Sequence, residues 1–349
     1  MKNNKHILIT LLVSIILLNS CEKMIIGEDE INSPENNFEL LWNDFNVHYA
    51  LFGVKNINWQ DAYNIYRPQV NPNTSNMELW DITSNMLDLL NDGHTTLIDA
   101  NNNLKFESGD SLNVIAESEF DLNLLKTKYL DYLTNSSEPD ISFGKLKYKD
   151  IGYVHLSSVE GDNPEIIDNI IQQLKQHKAI VVDIRNNGGG SDDYAHRVAG
   201  AFADGEHFIY TVQTKNGTGI DDFDAKTKWF TKPEGTEQFL KPVILLTDRV
   251  TASGAEIFTL NMKAFNHITV IGDTTAGDHS DQSDLRFLPN GWVYTYSPQL
   301  YLMPNGESLE GIGISPDVYI KNTETLINSN IDLVIETAIN YLFIEYNIE

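Results

Sequence analysis

The chain of 349 residues carries 24 lysines and arginines against 50 aspartates and glutamates, a formal net charge of −26, with 41% apolar and 21% charged residues. A surface of that sign repels nucleic acid and anionic lipid headgroups, so the composition excludes nucleic-acid partners. The acids are dispersed rather than gathered into a tail, which fits a globular, exported chain long enough for one large domain or two smaller ones.

Residues 1–20 place Lys2 and Lys5 ahead of an apolar stretch from Ile7 to Leu18, too short for a stable membrane span and typical of a secretory signal. Their removal deletes two lysines and no acid, moving the formal charge from −26 to −28. The run Leu18, Asn19, Ser20, Cys21 resembles a bacterial lipobox, which implies lipidation at Cys21. Cys21 is the sole cysteine, so no internal disulfide forms. The expectation is a protein of the bacterial cell envelope, facing the periplasm or the cell surface, with membrane contact through the N-terminal lipid only. Residues 21–36 mix charge, Gly, Asn and Pro without periodicity and read as a tether.

From Phe38 the apolar spacing becomes helical: Phe38, Leu41, Trp42, Phe45 and Tyr49 share one face, and Leu79, Ile82, Met86, Leu89 and Leu90 another. These predict a small N-terminal helical subdomain over residues 37–98. Residues 100–150 hold short strands and a helix around Asp121 to Tyr132, too short a segment for a separate PDZ-like peptide-binding module. Residues 99–349 therefore read as one α/β core. Within it IGYVHL, the helix PEIIDNIIQQLKQH and AIVVDIR form a βαβ unit with a parallel pair; PVILLTD, a helix after Ser253 and ITVIG form a second. Residues 205–241 are polar and glycine-dotted, a long connection able to overhang a site. Residues 288–318 read as antiparallel hairpins turning at Pro289-Asn290-Gly291 and Pro304-Asn305-Gly306, and a helix over 331–343 closes the chain.

Ser253, in VTASGAE, falls at the second unit's strand-to-helix turn. A serine there can act as a nucleophile, with the Gly254 amide aimed at the oxyanion formed on attack, or it can simply cap the helix, as can Thr251. Directly after AIVVDIR come Asn186, Asn187, Gly188, Gly189 and Gly190, whose glycines allow close backbone approach and a lining of amides. No Lys-Ser/Thr pair and no GxGxxG spacing follows, which argues against a phosphate loop. Asp183 and Arg185 are expected to order this loop. Glu256, three residues after Ser253, fits a capping box. The carboxylates at Asp278, Asp281 and Asp284 lack the order and glycine of a calcium loop, and neither metal nor cofactor is expected. A serine nucleophile needs a base. Of nine histidines, His6 leaves with the signal, five sit on or near predicted helices, and His155 lies within a strand. His94, in NDGHTT, and His279, in TAGDHSDQ, remain, and spacing does not choose between them.

DIRNNGGG, TASGAE and IGDTTAGD, together with DGHT and GIGISPD, resemble the tail-specific, or C-terminal processing, serine peptidases and the related tricorn protease core, over most of residues 38–345. The resemblance implies an α/β, crotonase-like (ClpP-like) core of βαβ units with antiparallel hairpins, and hydrolysis of a peptide or protein substrate. The processing peptidases place a lysine base about twenty-five residues after the serine, and here that position holds Asp278, with Gln282 at the family's glutamine. An ordinary aspartate pKa of about 3.9 makes a poor acceptor for a serine proton. The tricorn-like branch uses an upstream histidine, which falls on His94, supported by a glutamate that falls on Glu310 and by a serine whose place is taken by Gly93. With Gly93 there, His94 is left to Glu310, to water or to a hydroxyl such as that of Thr95. The expected site is thus Ser253, His94 and Glu310 with an oxyanion pocket from Gly188, Gly189 and Gly254. The alternative is a catalytically silent relative that binds peptide or an apolar ligand.

Overall fold

A computed structural model describes residues 31–109 and 119–349; the signal, Cys21 and the first part of the tether lie outside the described residues. Three α-helices open the described residues: α1 (Pro34–His48), α2 (Trp59–Tyr66) and α3 (Asn76–Asp88). The side chain of Ser33 caps α1, whose buried stripe of Phe38, Leu41, Trp42 and Phe45 is the one its spacing predicts. A capping box of Ser75 and Glu78 starts α3.

Strands β1 (Thr96–Asp99) and β2 (Leu104–Glu107) follow, then the short α4 (Leu122–Leu124), which continues as a wider helical turn over Leu125–Tyr129. Next come β3 (Leu130–Asn135), β4 (Ile141–Leu146), β5 (Ile151–Leu156), α5 (Ile166–Leu174), β6 (Ala179–Asp183) and α6 (Asp192–Ala199). Strands β7 (His207–Thr214) and β8 (Thr227–Thr231) precede β9 (Val243–Thr247), α7 (Gly254–Lys263) and β10 (Ile268–Gly272). Short strands β11 (Arg286–Phe287), β12 (Val293–Thr295), β13 (Gln299–Leu302) and β14 (Val318–Tyr319) lead to α8 (Glu324–Asn328) and α9 (Leu333–Tyr346).

The central sheet has seven strands in the order β14-β10-β9-β6-β5-β4-β3. From β5 to β14 its neighbours run parallel, and β4 and β3 add an antiparallel edge. Strands β5, β6, β9 and β10 are each buried along nearly their whole length, as expected of parallel strands covered on both faces. One face packs on α5, α6 and α7 through residues such as Ile170, Val198 and Phe258; the other packs on α9 through Val334, Ile335 and Ala338.

Two expectations need correction. Residues 205–241 are not a plain connection: β7 and β8 pair within them and β13 joins β7, making a three-stranded antiparallel sheet. The alternation in HFIYTVQT carried the strand signal, which the polar residues around it masked. The hairpin at 289–291 forms between β11 and β12, but after the turn at 304–306 no strand returns to β13, and β14 instead pairs parallel with β10. The N-terminal helices, moreover, share their core with distant chain. Leu288, Trp292, Tyr294 and Tyr296 pack among Phe38, Phe45 and Trp80, and β1 pairs with β12. No helix among the described residues is long and apolar enough to cross a membrane.

Candidate active site

Strands β6 and β9 are parallel neighbours, so the two segments leaving their carboxyl ends, 184–190 and 248–253, run side by side. Backbone and side-chain hydrogen bonds fix both. The Asn187 side-chain amide donates to the Leu156 carbonyl at 2.9 Å, and its oxygen accepts from the Gly189 amide at 2.9 Å. The Asn186 amide donates to Asp248 Oδ2 at 2.9 Å. Thr251 Oγ1 donates to the Ile184 carbonyl at 3.1 Å, which takes it out of helix capping. Gly189, at φ 111°, lies so close that a Cβ there would sit 2.7 Å from Ser253 Cβ and 2.8 Å from the Ala252 carbonyl oxygen. Only glycine lets the two segments meet.

Ser253 occupies the N-cap position of α7 at φ 52° and ψ −128°, yet its hydroxyl makes no capping bond. The capping explanation therefore fails for both hydroxyls. A non-glycine residue at that backbone conformation is strained, and strain of this kind is found at strand-to-helix turns able to present a nucleophile. Glu256 is not a capping-box partner either. Its buried carboxylate crosses to the next loop, accepting from Thr275 Oγ1 at 2.6 Å, the Gly277 amide at 2.9 Å and the Asp278 amide at 2.7 Å. It positions the segment that carries Asp278.

A cavity of about 410 Å³ is lined by Gly93, His94, Gly188, Ala252, Ser253 and Asp278 among others, so the candidate serine and histidine open onto one space. His94 lies in the turn between α3 and β1, where its amide donates to Asp92 Oδ1 at 3.0 Å and its carbonyl accepts from Thr295 Oγ1 at 2.8 Å. The imidazole Nδ1 is buried without a partner. The other candidate, His279, is buried away from this cavity. Burial pulls its pKa down to about 4 and pushes that of Glu256 up to about 7. The 3.6 Å approach of the two has the spacing of an ion pair. Burial of both groups makes it instead a contact between side chains driven toward neutrality.

Of the expected oxyanion donors, the Gly189 amide is already committed to Asn187, while Gly188 faces open space and Gly254 begins α7 directly after the serine. Glu310 is buried, with Oε2 accepting from the amides of His279 at 2.9 Å and Ser280 at 3.1 Å, and Oε1 unpartnered. It makes no hydrogen bond to His94, and Thr95 donates its hydroxyl to Asp92 instead. Burial first, then the charges of Asp92 and Asp278, hold the Glu310 carboxyl well above its usual range. One oxygen from each of Asp92, Asp278 and Glu310 lies within 4.8 Å of the others, the spacing that could admit a cation. Both Asp92 oxygens and Glu310 Oε2 are already engaged. Asp92 was missed in the sequence, although an aspartate two residues before the histidine of a DGH turn is placed to accept that histidine's amide.

Asp183 and Arg185 do pair, at 2.7 Å, but Arg185 extends to Asp332 at the start of α9 rather than to the glycine segment, whose order comes from Asn187 and Asp248.

The model of peptidase family S41 matches residues 150–320, and that of the tricorn protease C1 domain matches residues 32–88. A solved protein from Parabacteroides merdae ATCC 43184, which carries the name of a peptidase, is 30% identical with a TM-score of 0.80, covering 91% of this chain and 99% of that one. The carboxy-terminal-processing protease of Bartonella bacilliformis is 29% identical over 185 residues, half of this chain and 41% of its own length, so the chain spans less than half of that relative. The tricorn protease shares the fold at 15% identity and a TM-score of 0.57, covering 90% of this chain and 37% of its own. The chain belongs to peptidase family S41, the tail-specific serine peptidases.

Proposed function

We propose that the chain is a serine peptidase that cleaves peptide bonds through an acyl-enzyme on Ser253, with His94 as general base. The observation that carries the proposal is the uncapped, strained Ser253 opening onto the same cavity as His94. In this reading His94 takes the Ser253 proton as Oγ attacks a peptide carbonyl, then returns it to the leaving amine. A water activated by the same imidazole releases the acyl group. The Gly188 and Gly254 amides receive the oxyanion, each such donor being worth about 3 kcal/mol. Glu310 reaches the histidine side of the site through the carboxylates of Asp92 and Asp278, which its own approaches within 4.8 Å. The neighbouring ends of β6 and β9 suit a crotonase-like core, in which the reacting group meets paired loops at strand ends. The lipobox-like run ending at Cys21 supports attachment to the envelope by lipid, and Cys21→Ser is expected to move the protein out of the membrane fraction.

The test is labelling by a fluorophosphonate and a pre-steady-state burst with an activated ester. Both are expected in the wild type and absent in Ser253→Ala, with His94→Ala slowing labelling by about a hundredfold or more. Labelling that persists in Ser253→Ala would overturn the assignment. A folded wild type with neither label nor burst would favour the ligand-binding alternative, to which the missing lysine at Asp278 and the glycine at 93 both lend weight.

A further inference from the structure

Residue 93 is glycine, and the space its side chain would occupy is filled from across the cavity. A Cβ built on Gly93 would lie 2.6 Å from Asp278 Oδ2. Gly93 does not lie in the left-handed backbone region, so what keeps a side chain out is the Asp278 carboxylate. Of the buried polar atoms without partners around this space, two are His94 Nδ1 and Glu310 Oε1, the others being Tyr49 Oη and both ring nitrogens of His279. An unsatisfied buried donor or acceptor costs about 1–3 kcal/mol, so such a pair calls for a group able to meet both. Asp278 is the carboxylate that borders both. Its side chain is within 4.8 Å of Glu310 and lines the cavity beside His94, whereas Asp92 spends its oxygens on the His94 amide, Thr95 and Ser297. The Asp278 amide is anchored on Glu256, so the side chain swings from a fixed point.

We propose that Asp278 is the positioning residue for His94, its carboxylate standing where a side chain at 93 would be and joining Glu310 to the imidazole. The proposal rests on the reading of Ser253 and His94 as nucleophile and base. Asp278 accepts from His94 Nδ1–H, which leaves Nε2 free to take the serine proton. Glu310 keeps its own proton and donates it to Asp278, so one negative charge serves two carboxyls. Burial raises both carboxyls, Glu310 well above its usual range, while the neighbouring His94 charge acts to lower Asp278, which leaves Glu310 the one suited to the donor role. The hydrogen bond to the imidazole closes by rotation of the Asp278 side chain once substrate fills the cavity, as catalytic contacts often tighten in the complex. The titratable groups facing this chain of acids are Tyr49, Lys55, Asp92, His94, Glu256 and His279.

The experiment compares the wild type with Asp278→Asn, Asp278→Ala, Gly93→Ser and the Gly93→Ser/Asp278→Ala pair. The readouts are Ser253 labelling rate against pH, kcat and KM on an activated ester, and melting temperature. Asp278→Asn, close in shape, is expected to keep its melting temperature and KM and to lose about tenfold or more in kcat. The midpoint of its pH profile should move down, because the carboxylate that favours the imidazolium is gone. Gly93→Ser crowds Asp278 and should lower kcat alone, yet raise it in the Asp278→Ala background, where the space is open. A folded Asp278→Asn with wild-type kcat and midpoint overturns the proposal, as do strictly additive losses in the double variant. So does activity that chelation abolishes and a divalent cation restores, which would make the acids a metal site. Labelling independent of Ser253 or His94 would instead sink the underlying reading, so the two failures are distinguishable.

Discussion

Ser253 pays for its position in backbone strain, and that makes its role separable from stability. Because its hydroxyl caps nothing and its φ is 52°, Ser253→Gly removes a side chain from a conformation glycine adopts freely. The expected outcome is a protein about 1 kcal/mol more stable in urea unfolding and without peptidase activity. The contrasting control is Ser75→Ala, which breaks a real capping box at α3 and should cost about 1 kcal/mol. Similar losses at both serines would show that Ser253 is a structural cap after all. His279 supplies a pH prediction. Its pKa is depressed to about 4 in the folded protein from an ordinary value near 6.5, so the unfolded chain binds the extra proton between those limits. Stability then rises with pH across that window, by about 3 kcal/mol from this group. Glu256, raised to about 7, acts in the opposite sense, its contribution falling as pH climbs from about 4.5. The check is therefore a difference: His279→Gln should lose stability less steeply than the wild type as pH drops from 6.5 to 4, measured by denaturant melts.

At the level of elements, what could be read in advance was whatever has a local cause. The stripe on α1, both βαβ units and the serine at a strand-to-helix turn follow from periodicity and from glycines that must be glycines. The β7–β8 arm was hidden because its strands are only half buried and its pairing with β13 spans about ninety residues. The site was half legible for the same reason. Ser253 and Gly188 announce themselves by neighbours in sequence, whereas His94 is set apart from His279 only by the family resemblance; all three line one cavity. The carboxylates of Asp92, Asp278 and Glu310 come from three separate loops, and nothing in any one loop says that the others will be within 4.8 Å. Glu256 misled because a glutamate three residues after a serine is the capping pattern, and only the folded loop at 275–278 offered its carboxylate better donors.

Across the whole molecule, the C-terminal helix is fastened to the central sheet by one buried cation. Arg185 bonds Asp183 through Nε at 2.9 Å and Nη2 at 2.7 Å, and reaches both oxygens of Asp332 through Nη1 at 2.9 and 3.0 Å. All three groups are essentially inaccessible, and Tyr153 and Asn322 supply further hydrogen bonds to the acids. Asp332 also caps α9 by accepting from the Ile335 amide. Each partner thus serves two elements, so the cost of removing one exceeds that of a surface pair. Arg185→Met would leave two buried carboxylates facing each other without a countercharge, and is expected to destabilise the fold by about 3–5 kcal/mol. Asp332→Asn keeps the shape and part of the cap, and should cost less. Because Asp183 ends β6 and Arg185 stands at the start of the segment that bears Gly188, the same loss should loosen the proposed oxyanion pocket before the sheet melts, even though Asn187 and Asp248 hold the glycines directly. The observable is order of events: in Asp332→Asn, labelling of Ser253 should fall off at a lower urea concentration than the loss of secondary structure, while in the wild type the two coincide. Coincident transitions in the variant would mean that α9 and the glycine segment are fastened independently.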